Sequence, residues 1–246
     1  MQHYGISRED EVYIHTTSQS NYVSSCVTCT IFNYGKPSRV LTGNTKMIYV
    51  IHEFGYADNW IDTLLNDARN RGIPLVEDVA HSVNSFYKGR RLGTIGDYGL
   101  YSLPKFFNLS RGGLLLDNKK ALGTRANQEN GILDAFFENA GFINSITRRK
   151  QEIARLFANG LPQFHLSYEA SEESAPFVFS IDFSEIEIAR QIGGYFQDHF
   201  PMIDLFPTHV PGRIAFPINP FCDIPVYELI IEHLKAFKHQ AIFKND

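Results

Sequence analysis

Side chains that could take part in acid–base or covalent chemistry are concentrated between residues 77 and 105. Glu77 and Asp78 follow a short apolar run that predicts a buried strand, and Ser102 ends a second such run. Ligands of open parallel sheets bind beyond the carboxyl ends of the strands, so these positions favour a binding site. A carboxylate there can instead cap a following helix, and position alone leaves both interpretations open for Asp78.

Lys105 follows Ser102 by three residues and is the candidate nucleophile of this stretch. A lone lysine is normally a solvated surface group. The residues on either side of it are apolar, namely Leu103, Pro104, Phe106 and Phe107. Burial among such neighbours favours the neutral, nucleophilic form of an amine because water no longer stabilises its charge. The sequence therefore predicts a partly desolvated amine at Lys105.

Alternating strands and amphipathic helices are predicted for the first part of the chain. Strands are predicted at 11–14, 47–52, 74–77, 99–102 and 114–116, and helices at 21–34 and 60–71. Strand, helix and strand in succession form a βαβ unit, which requires a largely parallel sheet. We therefore expect an α/β fold over residues 1–120, with a mostly parallel sheet flanked by helices.

The remaining residues, 121–246, have a different pattern. Helices are predicted at 148–159, 186–199 and 225–237, and an alternating strand at 177–183. Helices that are not interleaved with buried parallel strands are typical of a separate α+β unit. We therefore expect a small α+β C-terminal domain over 121–246.

Composition narrows the classes of partner. The 246 residues are 43% hydrophobic, and 23 basic against 27 acidic residues give a formal net charge of -4, so nothing favours nucleic acid or an anionic membrane. No apolar run reaches the roughly 18–20 residues of a membrane span. Residues 1–4 do not begin a secretory signal, and three cysteines cannot form a closed disulfide set. These features predict a cytoplasmic protein.

A metal site is not expected. Cys26 and Cys29 form a C-x-x-C pair, but zinc needs further ligands, and Cys222 stands alone. The pair falls inside a predicted helix, which favours ordinary packing over a redox role. The nine histidines are scattered and include no H-x-x-x-H pair.

The chemistry-bearing stretch resembles the DegT/StrS-type sugar aminotransferases. The resemblance rests on several motifs in the same order: Glu-Asp-Val-Ala-His-Ser at 77–82, Tyr-Lys-Gly-Arg-Arg-Leu-Gly at 87–93, and Ser102, Lys105 and the glycines at 112–113. It extends upstream to similar segments at 9–12, 18–24 and 52–55. Members of this family have the aspartate-aminotransferase fold and use pyridoxal 5'-phosphate, so the resemblance implies that fold and that cofactor.

The resemblance also implies a role for each site residue. Asp78 would pair with the protonated pyridine nitrogen of the cofactor, and His81 would lie near its phenolic oxygen. Tyr22 would stack on the ring, and Ser102 would donate its hydroxyl to the phosphate. Lys105 would form the internal Schiff base and then shuttle the proton between substrate and cofactor. Ordinary packing of Tyr22 and His81 is the alternative interpretation.

The implied reaction moves an amino group from glutamate to a nucleotide-linked keto-sugar, as in polysaccharide biosynthesis, and the implied assembly is a homodimer. The sequence also departs from the family. Nothing before Ser7 matches the family's phosphate-binding Ser-Gly-Thr turn, the segment 35–47 is shortened, and Lys105 follows Ser102 more closely than usual. These departures favour an alternative, a degenerate homologue that binds a partner or a sugar-nucleotide without turnover.

Overall fold

A computed structural model describes residues 1–19, 23, 25–107, 109–122, 132–169, 171–206, 208 and 210–237. Contacts within the chain divide it into two units, Met1–Phe142 and Ile143–Asp246. This division groups the helix at 132–140 with the first unit, whereas the sequence pattern suggested a boundary near residue 120.

The first unit is built on a six-stranded sheet with the order β2-β1-β3-β4-β7-β8. All pairings in this sheet are parallel except that of β8 with β7. The mostly parallel sheet predicted from the sequence is therefore confirmed. The elements of this unit are β1 (Glu11–Thr16), α1 (Ser25–Phe32), β2 (Lys36–Ser38), β3 (Thr45–Ile51), α2 (Ile61–Arg71), β4 (Leu75–Asp78), β5 (Phe86–Tyr87), β6 (Arg90–Arg91), β7 (Tyr98–Ser102), β8 (Gly113–Asp117) and α3 (Ile132–Ala140).

Two apolar layers bury the central strands of this sheet. The first layer contains α2, whose Ile61, Leu64, Leu65 and Ala68 form the buried stripe that the helical spacing predicts. Gly72 ends this helix in the left-handed conformation, at φ 65°. The second layer packs Ile31 of α1 against the opposite face. Because β3 and β4 are covered on both faces, their sequences are nearly continuous apolar runs.

The strand β8 lies at the end of the sheet order. Leu115 and Leu116 of this strand are 53% and 39% exposed. Among the described residues, β8 pairs with β7 on one side and has no strand partner on the other.

The second unit packs three helices with a three-stranded antiparallel sheet of order β11-β10-β9. Its elements are α4 (Ile143–Gly160), β9 (His165–Leu166), β10 (Val178–Asp182), α5 (Ile186–His199), β11 (Arg213–Pro217) and α6 (Ile224–Lys235). Phe157 of α4 stacks on Phe179 of β10, with ring centroids 4.2 Å apart. Seven of the 20 phenylalanines of the chain are buried in this core.

Several elements differ from the predictions at their ends. The helix predicted at 21–34 is described as α1 over 25–32, and residues 20–22 and 24 lie outside the described residues. The short strands β2, β5, β6 and β9 were not predicted, because two or three residues carry no readable periodicity. No helix in the described part of the chain has the length and apolar character needed to cross a bilayer.

Lys150 lies in the core of the second unit. Its side chain is only 1% exposed, and its amine lies 5.2 Å from the centre of the Phe177 ring. Burial lowers the pKa of Lys150 from 10.5 to about 7, because water no longer stabilises the ammonium charge. Between these two pH values the unfolded chain binds more protons than the folded chain, so stability must rise with pH across this range.

We expect the substitution Lys150→Met to flatten this pH dependence. In the wild type, the free energy of unfolding should rise from pH 7 towards pH 10, at up to about 1.4 kcal/mol per pH unit. The variant lacks the buried amine and should lose this slope. Urea titrations at several pH values measure the slope of the free energy of unfolding against pH. The control is Lys235→Met, which removes an amine from the exposed side of α6. Identical slopes in Lys150→Met and the wild type would show that Lys150 is not the source of this pH dependence.

Candidate active site

The strands β4 and β7 bring their carboxyl ends to the same edge of the sheet. They pair in parallel with Asp78 opposite Leu100, and the amide of Val79 donates to the Leu100 carbonyl at 2.9 Å. Asp78 is the last residue of β4, and Ser102 is the half-buried last residue of β7. The two residues predicted to follow buried strands therefore end neighbouring strands at one edge.

The carboxylate of Asp78 is held by two donors. It is 9% exposed, the Tyr49 hydroxyl donates to its Oδ2 at 2.9 Å, and the amide of Ala80 donates to its Oδ1 at 3.0 Å. The helix-cap interpretation of Asp78 is wrong, because turns and short strands, and no helix, occupy residues 79–102. A carboxylate has about four acceptor positions, so Asp78 can still accept a further donor at this edge.

His81 and Lys105 come into direct contact at this edge. The Nζ atom of Lys105 lies 2.9 Å from Nε2 of His81. Lys105 itself is exposed, so the partial desolvation predicted from its neighbours is wrong. The turn after β7 directs Leu103, Phe106 and Phe107 into the interior and leaves the amine in solvent.

The ring of Phe54 packs parallel to the imidazole of His81. Their centroids are 5.8 Å apart and their planes differ by 11°. Phe54 has φ 59° and ψ 18°, a left-handed conformation that costs a residue with a side chain on the order of 1 kcal/mol. Strain of this kind persists only where the surroundings fix the backbone.

The turn that carries Phe54 is anchored on both sides. The Ser82 hydroxyl donates to the carbonyl of His52, and the Ser85 hydroxyl donates to the carbonyl of Gly55, each at 2.7 Å. The Glu53 carboxylate accepts a hydrogen bond from the Ser18 amide at 2.6 Å. These contacts hold residues 52–55 in place beneath His81.

Glu77 points to the opposite face of the sheet from Asp78, because neighbouring side chains of a strand alternate. It is fully buried, and its Oε2 lies 3.1 Å from Nε2 of His52. Its other donors are the backbone amides of Gly93, Ile95 and Gly96, at 2.6–2.9 Å. Burial raises the pKa of Glu77, but the His52 contact and the amide donors outweigh burial and hold that pKa below its usual value.

The proton positions of the buried pair follow from its contacts. The amide of Asp58 donates to Nδ1 of His52 at 3.0 Å, so this nitrogen is the acceptor and Nε2 carries the proton towards Glu77. Glu77 thereby joins the end of β4 to the turn at 52–55 and to the loop at 93–96.

Of the predicted site residues, the structure places Asp78, His81, Ser102 and Lys105 at this edge. Tyr22 lies outside the described residues. The described residues contain no group of three or more potential metal ligands.

The sequence did not identify Tyr49 or Phe54 as part of the site. Tyr49 could have been recognised from the sequence, because a tyrosine inside a buried strand needs a hydrogen-bond partner for its hydroxyl.

The sequence pattern of the DegT/DnrJ/EryC1/StrS aminotransferase family matches residues 32–164 of this chain. The match covers more than half of the 246 residues and includes Asp78, His81, Ser102 and Lys105. The chain belongs to this family. The DegT/StrS resemblance read from the motifs is therefore confirmed, and members of the family are pyridoxal-phosphate-dependent aminotransferases.

Curated relatives match this chain over a limited segment. L-glutamine:scyllo-inosose aminotransferase of Streptomyces griseus is 33% identical over 88 residues, which are 35% of this chain and 20% of that protein. GDP-perosamine synthase of Escherichia coli O157:H7 is 31% identical over 87 residues, which are 35% of this chain and 24% of that protein. The matched segment thus spans about a fifth of the length of the first of these relatives.

The fold is shared with solved aminotransferases over nearly the whole chain. The aminotransferase TlmJ from Streptoalloteichus hindustanus superposes with a TM-score of 0.77, covering 96% of this chain and 81% of that one at 18% identity. This likeness confirms the expected fold of a pyridoxal-phosphate-dependent aminotransferase.

The residues at the β4–β7 edge fit pyridoxal phosphate by their chemistry. Asp78 has acceptor capacity for a ring N–H, Lys105 is an accessible amine for an aldehyde, and Ser102 has a hydroxyl for a phosphate. When bound, this cofactor supplies an electron sink for a carbanion.

We expect Glu77→Gln to destabilise the first unit and to weaken its acid dependence. The amide leaves buried N–H groups without an acceptor, so the free energy of unfolding at pH 7 should fall by about 3 kcal/mol. The folded-state pKa of Glu77 is lowered from 4.5, so its contribution is present above that pH and is lost as the pH falls through the lowered value.

Urea unfolding of wild type and Glu77→Gln at neutral and acidic pH measures both effects. The matched control is Glu9→Gln, whose carboxylate forms an exposed ion pair with Lys36, and it should change little. A variant as stable as the wild type at pH 7 would show that the Glu77 contacts do not hold the unit together.

Proposed function

We propose that the protein is a pyridoxal-phosphate-dependent aminotransferase that acts on the keto group of a sugar. The supporting observation is the 2.9 Å contact between Lys105 and His81, beside Asp78 at the shared edge of β4 and β7. A carboxylate, an imidazole, an amine and a hydroxyl are thereby collected at one end of a parallel sheet, where such folds bind ligands.

Each residue has a role that its position permits. Asp78 accepts the N–H of the pyridine ring and balances its positive charge. Tyr49 holds Asp78 in the orientation for this contact. Ser102 would donate to the phosphate, and Lys105 would hold the cofactor and move the proton at the substrate carbon.

The substrate class is proposed from the relatives. One of them is named for an inosose and glutamine, and another for a GDP-linked sugar. We propose a nucleotide-linked keto-sugar as acceptor and glutamate as donor, in a homodimeric enzyme. Activity assays that compare a nucleotide-linked keto-sugar with a free keto-cyclitol identify the acceptor. Assays that compare glutamate with glutamine identify the donor. Sedimentation velocity tests whether the protein is a dimer.

We expect pyridoxal phosphate to attach covalently to Lys105. Borohydride reduction of the loaded protein, followed by peptide mass spectrometry, should find the cofactor on the peptide that contains Lys105. The variant Lys105→Ala should show no attachment, because it has no amine at this position. Attachment elsewhere, or none at saturating cofactor, would refute the proposal.

We expect Asp78→Asn to bind the cofactor but to slow the reaction with the amino donor. The amide does not balance the charge on the ring nitrogen, so single-turnover formation of pyridoxamine phosphate should slow by on the order of 100-fold. Stopped-flow absorbance and chromatographic product analysis measure this. Conversion as fast as that of the wild type would remove Asp78 from the mechanism.

The same measurements distinguish the alternative function. A homologue that binds without turnover would retain its cofactor or sugar-nucleotide but would form no pyridoxamine phosphate with glutamate, even at high concentrations of both.

A further inference from the structure

The contact between Lys105 and His81 has a defined direction. An ammonium group has three donors and no acceptor, so a charged Lys105 must donate to Nε2 of His81. Nε2 then carries a lone pair, and the ring proton of the neutral imidazole is on Nδ1. The imidazole therefore presents a base at 2.9 Å from the amine.

We propose that His81 is a catalytic base that removes the proton from the Lys105 ammonium group, and that Phe54 is the positioning residue for this imidazole. The inference rests on the proposed function, because only a neutral amine can attack the carbonyl carbon of an aldehyde. In the step, one N–H bond of Nζ breaks and an N–H bond forms at Nε2. The electron pair stays on Nζ, and the imidazolium passes its proton to water.

The exposure of Lys105 leaves its amine accessible, and the nitrogen in direct contact with it is Nε2 of His81. The apolar neighbours of Lys105 point into the interior and do not cover its amine. An acceptor in direct contact gives the proton a path off the amine without burial of the side chain. Imidazole is suited to this role because it takes up and releases protons near neutral pH.

Phe54 fixes the plane of the imidazole. Its ring lies parallel to His81 within 11°, and its backbone has φ 59° in a turn that Ser82 and Ser85 anchor. A strained residue held by several contacts cannot relax without moving the ring on which His81 stacks. The turn therefore keeps Nε2 directed at Lys105.

Limited acetylation of the cofactor-free protein tests the proposal without any enzyme activity. Acetic anhydride reacts with neutral amines, and mass spectrometry reports the acetylation rate of each lysine. The exposed Lys120 is the internal reference. Relative to Lys120, acetylation of Lys105 should fall by about tenfold in His81→Ala and in His81→Gln, because both lack the base.

Chemical rescue separates a base from a structural contact. Added imidazole should restore acetylation of Lys105 in His81→Ala, since the variant leaves space for it beside an exposed amine. Phe54→Leu should show a loss similar to that of His81→Ala, whereas Phe54→Tyr retains the ring and should behave as the wild type. Circular dichroism confirms that each variant is folded.

The acetylation results test this inference separately from the cofactor-binding experiments that test the proposed function. Unchanged acetylation in folded His81 variants, or a loss that imidazole does not restore, overturns the role of His81 as a base. A folded Phe54→Leu that matches the wild type, or a Phe54→Tyr that matches Phe54→Leu, overturns the positioning role. If the wild type binds no pyridoxal phosphate, the proposed function fails and His81 has no catalytic role, whereas the acetylation contrast decides separately whether His81 accepts the proton of Lys105.

Discussion

The parallel pairing of β4 with β7 is the constraint on which the site depends. Hydrogen bonds between these strands set Asp78 opposite Leu100, and this register fixes where each strand ends. The turn that follows β4 carries His81, and the turn that follows β7 carries Lys105. A shift of one residue in this pairing would reverse the faces of Glu77 and Asp78 and separate the imidazole from the amine.

The two acidic residues at the end of β4 lie in different environments, because neighbouring side chains of a strand point to opposite faces of the sheet. Glu77 is fully buried on one face, where His52 and three backbone amides satisfy it. Asp78 keeps a small exposed area and unused acceptor capacity on the other face. The first carboxylate stabilises the loops around the site, and the second remains available to a ligand. The buried hydrogen bonds of Glu77 thus support the loops beside a carboxylate that keeps acceptor capacity for a ligand.

Much of this arrangement could be predicted from residue patterns. The apolar run at 47–52 and the helical stripe at 60–71 gave β3 and α2 within two residues of their ends, because burial on both faces leaves a strong signal. The motif around Asp78, His81, Ser102 and Lys105 identified the family, and the roles of these four residues stay a prediction. The exposure of Lys105 could not be read from its neighbours, since a sharp turn decides which way each side chain points. The contact of Phe54 with His81 was also hidden, because it joins residues 27 positions apart.

The leucines of β8 have a consequence for the handling of the isolated protein. Edge strands in soluble proteins are commonly protected by lysine, proline or a bulge, and Gly113–Asp117 contains neither lysine nor proline. An apolar edge with unpaired backbone groups is a template on which another polypeptide can add a strand. Within the described residues the outer edge of β8 has no strand partner, so concentrated solutions of the protein would favour oligomers formed by β-sheet extension. Such oligomers would conceal a weak native assembly in a scattering experiment.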